Sequence, residues 1–317
     1  MENVKKISRM EEVNIVFSRK ATEVNRFYQY TPSTVALIWS QLRPKQWSKN
    51  FLVFAALLFS IDRIEISKIA YSTIGFVLFS LVSSTIYIFN DFMDREADRV
   101  HPIKRHRPMA SGRLSPVLAL TVGVILLLFA LFGSWLLNPL FTLLLTLYVL
   151  LNISYTLYLK HVVIIDLLII ASGFVLRAVA GGLVIKVTLT PWFLLCTLLL
   201  SLFLAIGKRR HELILLQEGN GTHRKVLESY SVPLLDQLTN IVTTATVISY
   251  SLFTFTSGRT VRLMWTIPFV IYGIFRYLYL IQIRNQGGSP EHILFKDKPI
   301  LITVVLYTIS VVIILML

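Results

Sequence analysis

The residues best suited to chemistry stand between Asn90 and Gly112, where acidic side chains are followed by basic ones. Asn90, Asp94 and Asp98 are spaced so that a helix would place them on one face, with Asp91 beside them. Carboxylates this close repel one another unless a cation lies among them. Magnesium takes a few carboxylates and completes its coordination with water and phosphate oxygens. The spacing therefore predicts a magnesium–diphosphate site, with Asp91, Asp94 and Asp98 as metal ligands.

A basic loop comes directly after these aspartates. Lys104, Arg105 and Arg107 precede a proline that restricts the chain, and guanidinium groups bind phosphate oxygens through paired hydrogen bonds. We expect these three side chains to bind phosphate. The alternative is a solvated helix end, in which Arg95, Arg99 and Arg105 only neutralise the acids. The long apolar stretch before the acids and the basic loop after them favour the metal site.

Two further basic segments lie near the ends of apolar stretches. One is LRPKQWSKN, which contains Lys45 and Lys49, and the other is GKRRHE, which contains Lys208 and Arg209. Basic and aromatic side chains commonly anchor a helix at the membrane surface. The same lysines and arginines would also suit a phosphate group. From these residues alone, anchoring is the simpler interpretation of both segments.

Two ionisable residues, Asp166 and Arg177, fall inside one apolar stretch. They are eleven residues apart, close to three helical turns, so a helix would place them on one face about 16 Å apart along its axis. Ionisable residues within a membrane are functional candidates because their burial is costly. A structural ion pair with another helix is the alternative. Under either interpretation, this face is expected to point into the protein and away from lipid.

The composition identifies the protein class that must position these residues. Of 317 residues, 55% are hydrophobic and 15% are charged, whereas about a quarter are charged in an ordinary globular domain. Apolar runs of about 18 residues or more recur, each long enough to cross a bilayer as a helix. The single cysteine excludes a disulfide framework. The histidines show no close pairing of the zinc-ligand kind. The composition thus predicts an all-α, polytopic membrane protein.

The apolar runs predict nine transmembrane helices. Residues 1–33 are expected to form a polar cytoplasmic or interfacial segment, either a surface helix or a tail, and residues 34–317 a single transmembrane domain. Asn138-Pro139 should separate two spans, and residues 207–233 should form a polar loop. The expected spans are 37–60, 69–90, two spans within 114–159, 162–185, 191–206, 234–256, 261–283 and 299–317.

The basic residues predict the orientation of the bundle. With the N-terminus inside, the inner segments hold 24 of the 31 Lys and Arg residues and the outer turns hold five. Such a bias is typical of cytoplasmic loops. We therefore expect the N-terminus and the acidic cluster to face the cytoplasm, at a bacterial plasma membrane. Topology also explains the net charge of +14, so no nucleic-acid partner is predicted.

The sequence NDFMDREADRVHPIKRHRPMASG resembles the first Asp-rich motif of the UbiA superfamily of intramembrane prenyltransferases. The resemblance continues through LRPKQWSKN, YLKHVVIIDLLIIASGFVLRAVAGG, GKRRHEL and RKVLESY, and so covers most of the chain from Leu42 to Asp297. Within the superfamily it is strongest to the decaprenyl-phosphate phosphoribosyltransferase branch. The resemblance implies a bundle of nine helices around a central cavity that opens to the cytoplasm and laterally to membrane lipid.

One departure from the superfamily concerns its second Asp-rich motif, which in aromatic prenyltransferases follows the sixth helix and holds a second magnesium. Here the same place reads KRRHEL, with Glu212 as its acid. One acidic cluster among several basic ones suits a diphosphate donor and an acceptor that itself carries phosphate. The resemblance thus implies Mg²⁺-dependent transfer of 5-phosphoribose from phosphoribosyl diphosphate to a polyprenyl phosphate. The alternatives are prenyl transfer to an aromatic or other small acceptor, and a transporter or lipid-binding scaffold.

The resemblance also implies roles for the candidate residues. Asp91, Asp94 and Asp98 would hold Mg²⁺, and Lys104, Arg105 and Arg107 would bind the donor phosphates. Asp166 and Arg177 would orient ribose or phosphate. The remaining phosphate- and substrate-binding candidates are Lys45, Lys49, Asn90, Lys160, Lys208 and Arg209.

Overall fold

The computed structural model describes residues 32–58, 65–218, 225–256, 260–284, 287–288, 293 and 296–316. Every regular element in this part of the chain is a helix, so the predicted all-α class is confirmed. The segment predicted for residues 1–33 lies almost wholly outside the described residues. In chain order, the α-helices are α1 (Thr34–Gln41), α2 (Ala55–Leu58), α3 (Ile66–Met93), α4 (Arg95–Val100), α5 (Pro116–Leu137), α6 (Pro139–Leu157), α7 (Ile165–Ile185), α8 (Pro191–Gln217), α9 (Val232–Thr256), α10 (Ile267–Gln282) and α11 (Lys298–Met316).

Shorter 3₁₀ turns join several of these helices. The longest is Pro44–Phe54, which we call the 44–54 segment, and the others are Lys104–His106, Leu159–His161, Lys225–Ser229 and Val261–Thr266. Eight helices are long and apolar enough to cross a membrane among the described residues; they are α3, α5, α6, α7, α8, α9, the continuous stretch Val261–Gln282 and α11. The protein is a multi-pass membrane protein.

The described part of the first predicted span, 37–60, is not one continuous α-helix. Arg43 has a left-handed backbone conformation, with φ of 52°, and the 44–54 segment begins at the proline that follows. A proline within a helix removes a backbone hydrogen bond and clashes with the preceding turn. The described part of this span therefore consists of α1, the 44–54 segment and α2.

The 44–54 segment packs directly against α7. A Cβ atom added at Gly181 would lie 2.0 Å from the backbone oxygen of Val53, so only glycine permits this approach. The segment shares one apolar core with α3, α6 and α7. Members of that core are Val53, Phe79, Val82, Phe141, Leu145 and Ala180.

Two predicted boundaries have contrasting outcomes. The division at Asn138-Pro139 is confirmed, since Pro139 begins α6 and the Asn138 side chain accepts the Leu140 N–H at 2.9 Å. The predicted polar loop of residues 207–233 is wrong in its first part, because α8 continues to Gln217. The KRRHEL residues therefore project from a helix.

A second apolar core joins α8, α9 and α10 through residues that include Phe203, Ile206, Leu235, Tyr277 and Leu280.

Large apolar side chains remain exposed along the outer helices. On α5 they include Leu128, Phe129, Phe132 and Leu136, and on α11 they include Ile302, Val305 and Ile309. Such a surface would be unfavourable in water but is what lipid tails require. The surface therefore agrees with the predicted contact between this bundle and membrane lipid.

Candidate functional site

Asp91 lies at the end of α3 and is nearly buried. It forms an ion pair with Arg43. Its Oδ1 atom also accepts a hydrogen bond from Arg107 Nη1 at 2.9 Å, and its Oδ2 atom accepts one from Gln41 Nε2 at 2.7 Å. Arg43 additionally lies over the ring of Tyr87, 5.2 Å from its centroid. Two guanidinium groups and an amide therefore fix the position of this carboxylate.

Asp98, on the short helix α4, is brought to the same point. Arg107 Nη1 donates to Asp98 Oδ2 at 2.5 Å, so one nitrogen contacts Asp91 and Asp98 together. Asp94 is more exposed and accepts a hydrogen bond from Lys160 Nζ at 2.9 Å. The fold thus brings Asp91 and Asp98 onto one shared cation and gives Asp94 a different one.

The fit of these carboxylates to magnesium follows from their geometry. Among the described residues, no three Asp, Glu, His or Cys side chains come close enough together to hold a metal ion. Asp91 and Asp98 nevertheless converge on a single positively charged nitrogen. Magnesium is commonly held by one or two carboxylates, with water and substrate phosphate oxygens as its other ligands. These two carboxylates therefore fit the ion, whereas the set of three ligands stays a prediction.

The loop after α4 positions Arg107 through a histidine. His101 Nδ1 accepts the backbone N–H groups of Ile103 and Lys104, at 3.0 and 3.2 Å. The backbone N–H of Arg107 in turn donates to the Lys104 oxygen at 3.0 Å. Burial lowers the pKa of His101 below its ordinary value, so the ring is neutral at neutral pH and Nδ1 can accept both bonds.

Lys104 and Arg105 stand next to each other but differ in their surroundings. Burial, followed by the nearby charge of Arg107, lowers the pKa of Lys104, while Asp98, Asp94 and Glu212 act on it in the opposite direction. Lys104 therefore lies between the acids of α3–α4 and the acid of α8. Arg105 is exposed and contacts the ring of His106 at 3.4 Å.

The 44–54 segment runs along α3 from the site towards the interior of the bundle. Pairing is antiparallel, through Arg43 with Asp91, Trp47 with Ser84 at 2.9 Å, and Asn50 with Ser80 at 3.0 Å. Lys45 is exposed on this segment and Lys49 is partly buried. Both lysines stand between the Arg43 and Asn50 contacts, so their part of the segment runs beside α3 from Asp91 towards Ser80.

Arg177 marks the deeper end of that face. Its guanidinium donates to Asn50 Oδ1 at 2.8 Å, Tyr148 OH at 2.8 Å and the Gly173 oxygen at 2.7 Å. It also lies within 5.3 Å of the ring centroid of Phe79. The expectation that Arg177 faces into the protein is confirmed, as it is 6% exposed. Its contacts join the 44–54 segment to α6 and α7 and leave it without a carboxylate partner among the described residues.

Asp166 and Arg209 form a separate, fully enclosed centre. Arg209 Nε donates to Asp166 Oδ2 at 2.8 Å, and Tyr230 OH donates to Asp166 Oδ1 at 2.8 Å. Arg209 also forms an ion pair with Glu212. Asp166 is 0% exposed and Arg209 is 2% exposed, and the expected contacts of these two side chains with ribose or phosphate stay predictions. The alternative of an ion pair between helices describes their contacts in this structure.

Tyr230 connects this centre to the chain before α7. Its hydroxyl accepts the backbone N–H of Ile164 at 2.7 Å while it donates to Asp166. Burial raises the pKa of Tyr230 to about 12, so the hydroxyl keeps its proton at neutral pH. Ile164 has a φ of 70°, a conformation that costs a β-branched residue about 1–3 kcal/mol. The tyrosine therefore stabilises a strained start of α7.

The remaining predicted residues lie around the acids with different contacts. Asn90 accepts a hydrogen bond from Thr156 and so connects α3 to α6. Lys160 holds Asp94, and Lys208 is exposed on α8. Arg43 and Tyr230 were missed by the sequence analysis. Both stand in segments that resemble the superfamily, LRPKQWSKN and RKVLESY, and that resemblance was the available signal.

Comparisons with known proteins agree with this architecture. Residues 50–295 match the UbiA prenyltransferase family. A decaprenyl-phosphate phosphoribosyltransferase of Mycobacterium tuberculosis is 38% identical over 275 residues, covering 83% of this chain and 89% of that protein. One of Corynebacterium glutamicum is 38% identical over 267 residues, covering 81% of this chain and 80% of that protein.

A solved structure shares the fold. It is that of a UbiA homologue from Archaeoglobus fulgidus bound to DMAPP and Mg²⁺, with a TM-score of 0.66 and 18% sequence identity, covering 88% of this chain and 99% of that chain. At this identity the likeness concerns the fold alone. The match of residues 50–295 establishes that the chain belongs to the UbiA prenyltransferase family.

Proposed function

We propose that this protein transfers the 5-phosphoribosyl group of phosphoribosyl diphosphate to the phosphate of a polyprenyl lipid, with release of diphosphate. The observation that carries the proposal is 38% identity, over most of the chain, to relatives named decaprenyl-phosphate phosphoribosyltransferase. The charges of the site support it, because Arg43, Arg107 and Lys160 already pair with the three aspartates and Lys104 and Arg105 add an excess of basic side chains beside them. A donor and an acceptor that both carry phosphate would need that excess.

The donor would bind at the end of α3. Asp91 and Asp98 would hold Mg²⁺, with Asp94 as the further predicted ligand, and the bound ion would offset the charge that develops on the departing diphosphate. Arg107, Lys104 and Arg105 would bind the phosphate oxygens of the donor. Arg107 already contacts both carboxylates, so a small movement of its side chain would bring it to a diphosphate held beside them.

The acceptor phosphate would approach along the opposite side of the site. Lys45 and Lys49 of the 44–54 segment and Lys208 of α8 are the basic side chains proposed to bind it. Asn90 and Lys160 would complete the surroundings of the donor. Asn90 lies about one helical turn before Asp94, and Lys160 contacts Asp94. Arg209, the further predicted phosphate ligand, is held by Asp166 and Glu212.

The reaction would break the bond from ribose C1 to the diphosphate oxygen and form one from C1 to an oxygen of the lipid phosphate. The leaving diphosphate keeps the electron pair, and C1 gains oxocarbenium character in the transition state. The attacking phosphate oxygen is already anionic at neutral pH, so the site needs no general base. Positioning and fixed charge would then supply most of the rate enhancement.

Prenyl transfer to an aromatic acceptor is the rival activity for this fold. It would call for further carboxylates on α8, where the superfamily's second Asp-rich motif is found. Here Glu212 is paired with Arg209, and Arg209 is bound to Asp166. The acidic and basic groups of this region therefore neutralise one another inside the protein, which supports an acceptor that brings its own phosphate.

The proposed site lies on the cytoplasmic side of a bacterial plasma membrane, where magnesium and phosphorylated metabolites are available. The test of function is mass spectrometry of the lipid product, with the purified protein supplied with phosphoribosyl diphosphate and polyprenyl phosphates of several lengths. A parallel reaction contains a prenyl diphosphate and an aromatic acceptor. Formation of a polyprenylphosphoryl-5-phosphoribose in the first reaction alone is expected. Product in the second reaction alone would refute the proposal.

The metal assignment predicts the effect of Asp98→Asn. Removing this carboxylate charge should lower the transfer rate on the order of 100-fold or more, because the charge on the leaving diphosphate is then poorly offset. Glu96→Gln is the matched control on the same helix, since Glu96 pairs with Arg95 and Arg99 at the surface. It should change the rate by no more than about twofold. Full activity of Asp98→Asn would exclude this residue as a metal ligand.

A further inference from the structure

Basic side chains from distant parts of the chain neutralise the aspartates of the site. Arg43 precedes the 44–54 segment, Arg107 follows α4, and Lys160 lies between α6 and α7. Their ion pairs are Arg43 with Asp91, Arg107 with Asp91 and Asp98, and Lys160 with Asp94. Each carboxylate of the predicted metal site is therefore already paired with a cation supplied by the protein.

The two arginines are more accessible than the carboxylates that they hold. The side chains of Arg43 and Arg107 are 26% and 27% exposed, whereas that of Asp91 is 4% exposed. Both arginines contact the same oxygen of Asp91, and Gln41 contacts the other. A ligand that arrives from solvent therefore meets guanidinium groups first and carboxylates behind them.

A divalent cation and these guanidinium groups would compete for the same oxygens. If the metal binds alone, it must displace positive charge from a poorly solvated carboxylate, and the displaced arginine gains no new partner. The ion pair that is lost is strong because its surroundings screen charge less than water does. If a diphosphate arrives with the metal, the displaced guanidinium finds phosphate oxygens, which it binds well.

We propose that Arg43 and Arg107 are exchangeable counter-ions, which hold Asp91 and Asp98 before the donor binds and move to the diphosphate when a divalent cation takes the carboxylates. Metal and diphosphate binding are then coupled: each is weak alone and strong with the other, by the same factor in both directions. The inference adds Arg43 to the functional residues. It rests on the proposed function only in needing a diphosphate.

Binding of Mn²⁺ to the full chain in lipid nanodiscs tests this coupling. Free Mn²⁺ is followed by electron paramagnetic resonance, with and without inorganic diphosphate, and is corrected for the Mn²⁺–diphosphate complex measured in empty nanodiscs. The wild-type affinity for Mn²⁺ should rise about tenfold or more when diphosphate is present. Equal affinity in the two conditions would overturn the inference without any need for a variant.

The variants make predictions of opposite sign for the two ligands. Arg107→Gln removes the shared counter-ion, so Mn²⁺ alone should bind roughly fivefold tighter, while binding of labelled diphosphate with Mn²⁺ present should weaken. Arg43→Gln should show the same pattern and serves if Arg107→Gln does not fold. Arg113→Gln is the matched control, since Arg113 donates to Ser111 Oγ and to the His106 oxygen and contacts no carboxylate among the described residues. It should leave the affinity for Mn²⁺ alone within about twofold.

The outcomes separate this inference from the proposed function. Coupled binding of Mn²⁺ and inorganic diphosphate without any transfer of phosphoribose would refute the proposed function and support the exchange of counter-ions. Transfer of phosphoribose with uncoupled binding would support the proposed function and refute the exchange of counter-ions. Weaker binding of Mn²⁺ alone to Arg107→Gln would also overturn the inference, because it would make this arginine a support for the metal site and not a competitor.

Discussion

At the scale of single residues, the basic side chains near the acids fall into two groups. Arg43 and Arg107 contact Asp91, and Lys160 contacts Asp94. Arg105 is exposed and contacts His106. The local sequence places Arg105 and Arg107 near the acids, whereas the fold brings Arg43 and Lys160 to them from distant parts of the chain.

His101 determines how the loop that carries Arg107 is held, and this gives a pH dependence. Its neutral ring accepts two backbone N–H groups, and burial lowers its pKa below the ordinary value of 6.5. Between the lowered pKa of the native state and pH 6.5, the native protein binds fewer protons than the unfolded chain, so its stability rises with pH. The contribution should be complete above pH 6.5 and be lost as the pH falls through the lowered pKa of the native state.

The measurement is the difference in melting temperature between the wild type and His101→Asn, taken across about pH 5 to 8. Asparagine can accept a backbone hydrogen bond but does not titrate in this range. The difference should favour the wild type most at the alkaline end and shrink with acidification. A difference that stays constant across the range would show that the protonation of His101 does not affect the loop.

At the scale of elements, the 44–54 segment depends on one glycine of α7. Gly181→Ala would place a Cβ atom 2.0 Å from the Val53 oxygen. Because a backbone atom cannot yield as a side chain does, the variant should lose at least about 1–3 kcal/mol of stability. It should also lower the transfer rate, since displacement of the segment moves Lys45 and Lys49. Thermal unfolding and the transfer assay on the same preparation measure both effects.

Gly273→Ala, on α10, is the matched control for this substitution. A Cβ atom added at Gly273 meets nothing within 4 Å, and alanine in a helix is more stable than glycine by about 0.5–1 kcal/mol. The control should therefore melt at or slightly above the wild-type temperature. Equal melting temperatures for the two variants would mean that α7 and the 44–54 segment separate readily at Gly181.

At the scale of the whole molecule, most helices could be predicted from hydropathy because each apolar run must cross the bilayer as a helix. The path of the first span could not, because the segment that follows Pro44 is held by the approach of Val53 to Gly181 of α7, 128 positions along the chain. The polarity of KRRHEL likewise predicts a loop at a place where α8 continues. In the structure these residues are part of α8, which ends at Gln217. Arg210 forms an ion pair with Asp236 of α9.

In the site, too, contacts between residues far apart in the chain could not be predicted from local sequence. Asp91, Asp98 and Arg107 could be predicted as a unit because they lie within one acidic and basic stretch. The contacts of Arg43 with Asp91 and of Tyr230 with Asp166 span 48 and 64 positions, so spacing carries no sign of them. Arg209 shows the same limit, because its pairing with Asp166 spans 43 positions and joins α8 to α7.

The orientation of the molecule in the membrane is the last prediction, and it decides whether the site can meet its cytoplasmic substrates. Translocation of basic residues is disfavoured, and the predicted topology assigns 24 of the 31 Lys and Arg residues to the side of the acids. In a Cys196→Ala background, Arg105→Cys and Lys186→Cys place single thiols at exposed positions on opposite sides. A membrane-impermeant maleimide should label Lys186→Cys in intact cells but label Arg105→Cys only after permeabilisation. The reverse pattern would place the site outside the cell, away from magnesium and phosphoribosyl diphosphate in the cytoplasm, and would exclude the proposed reaction there.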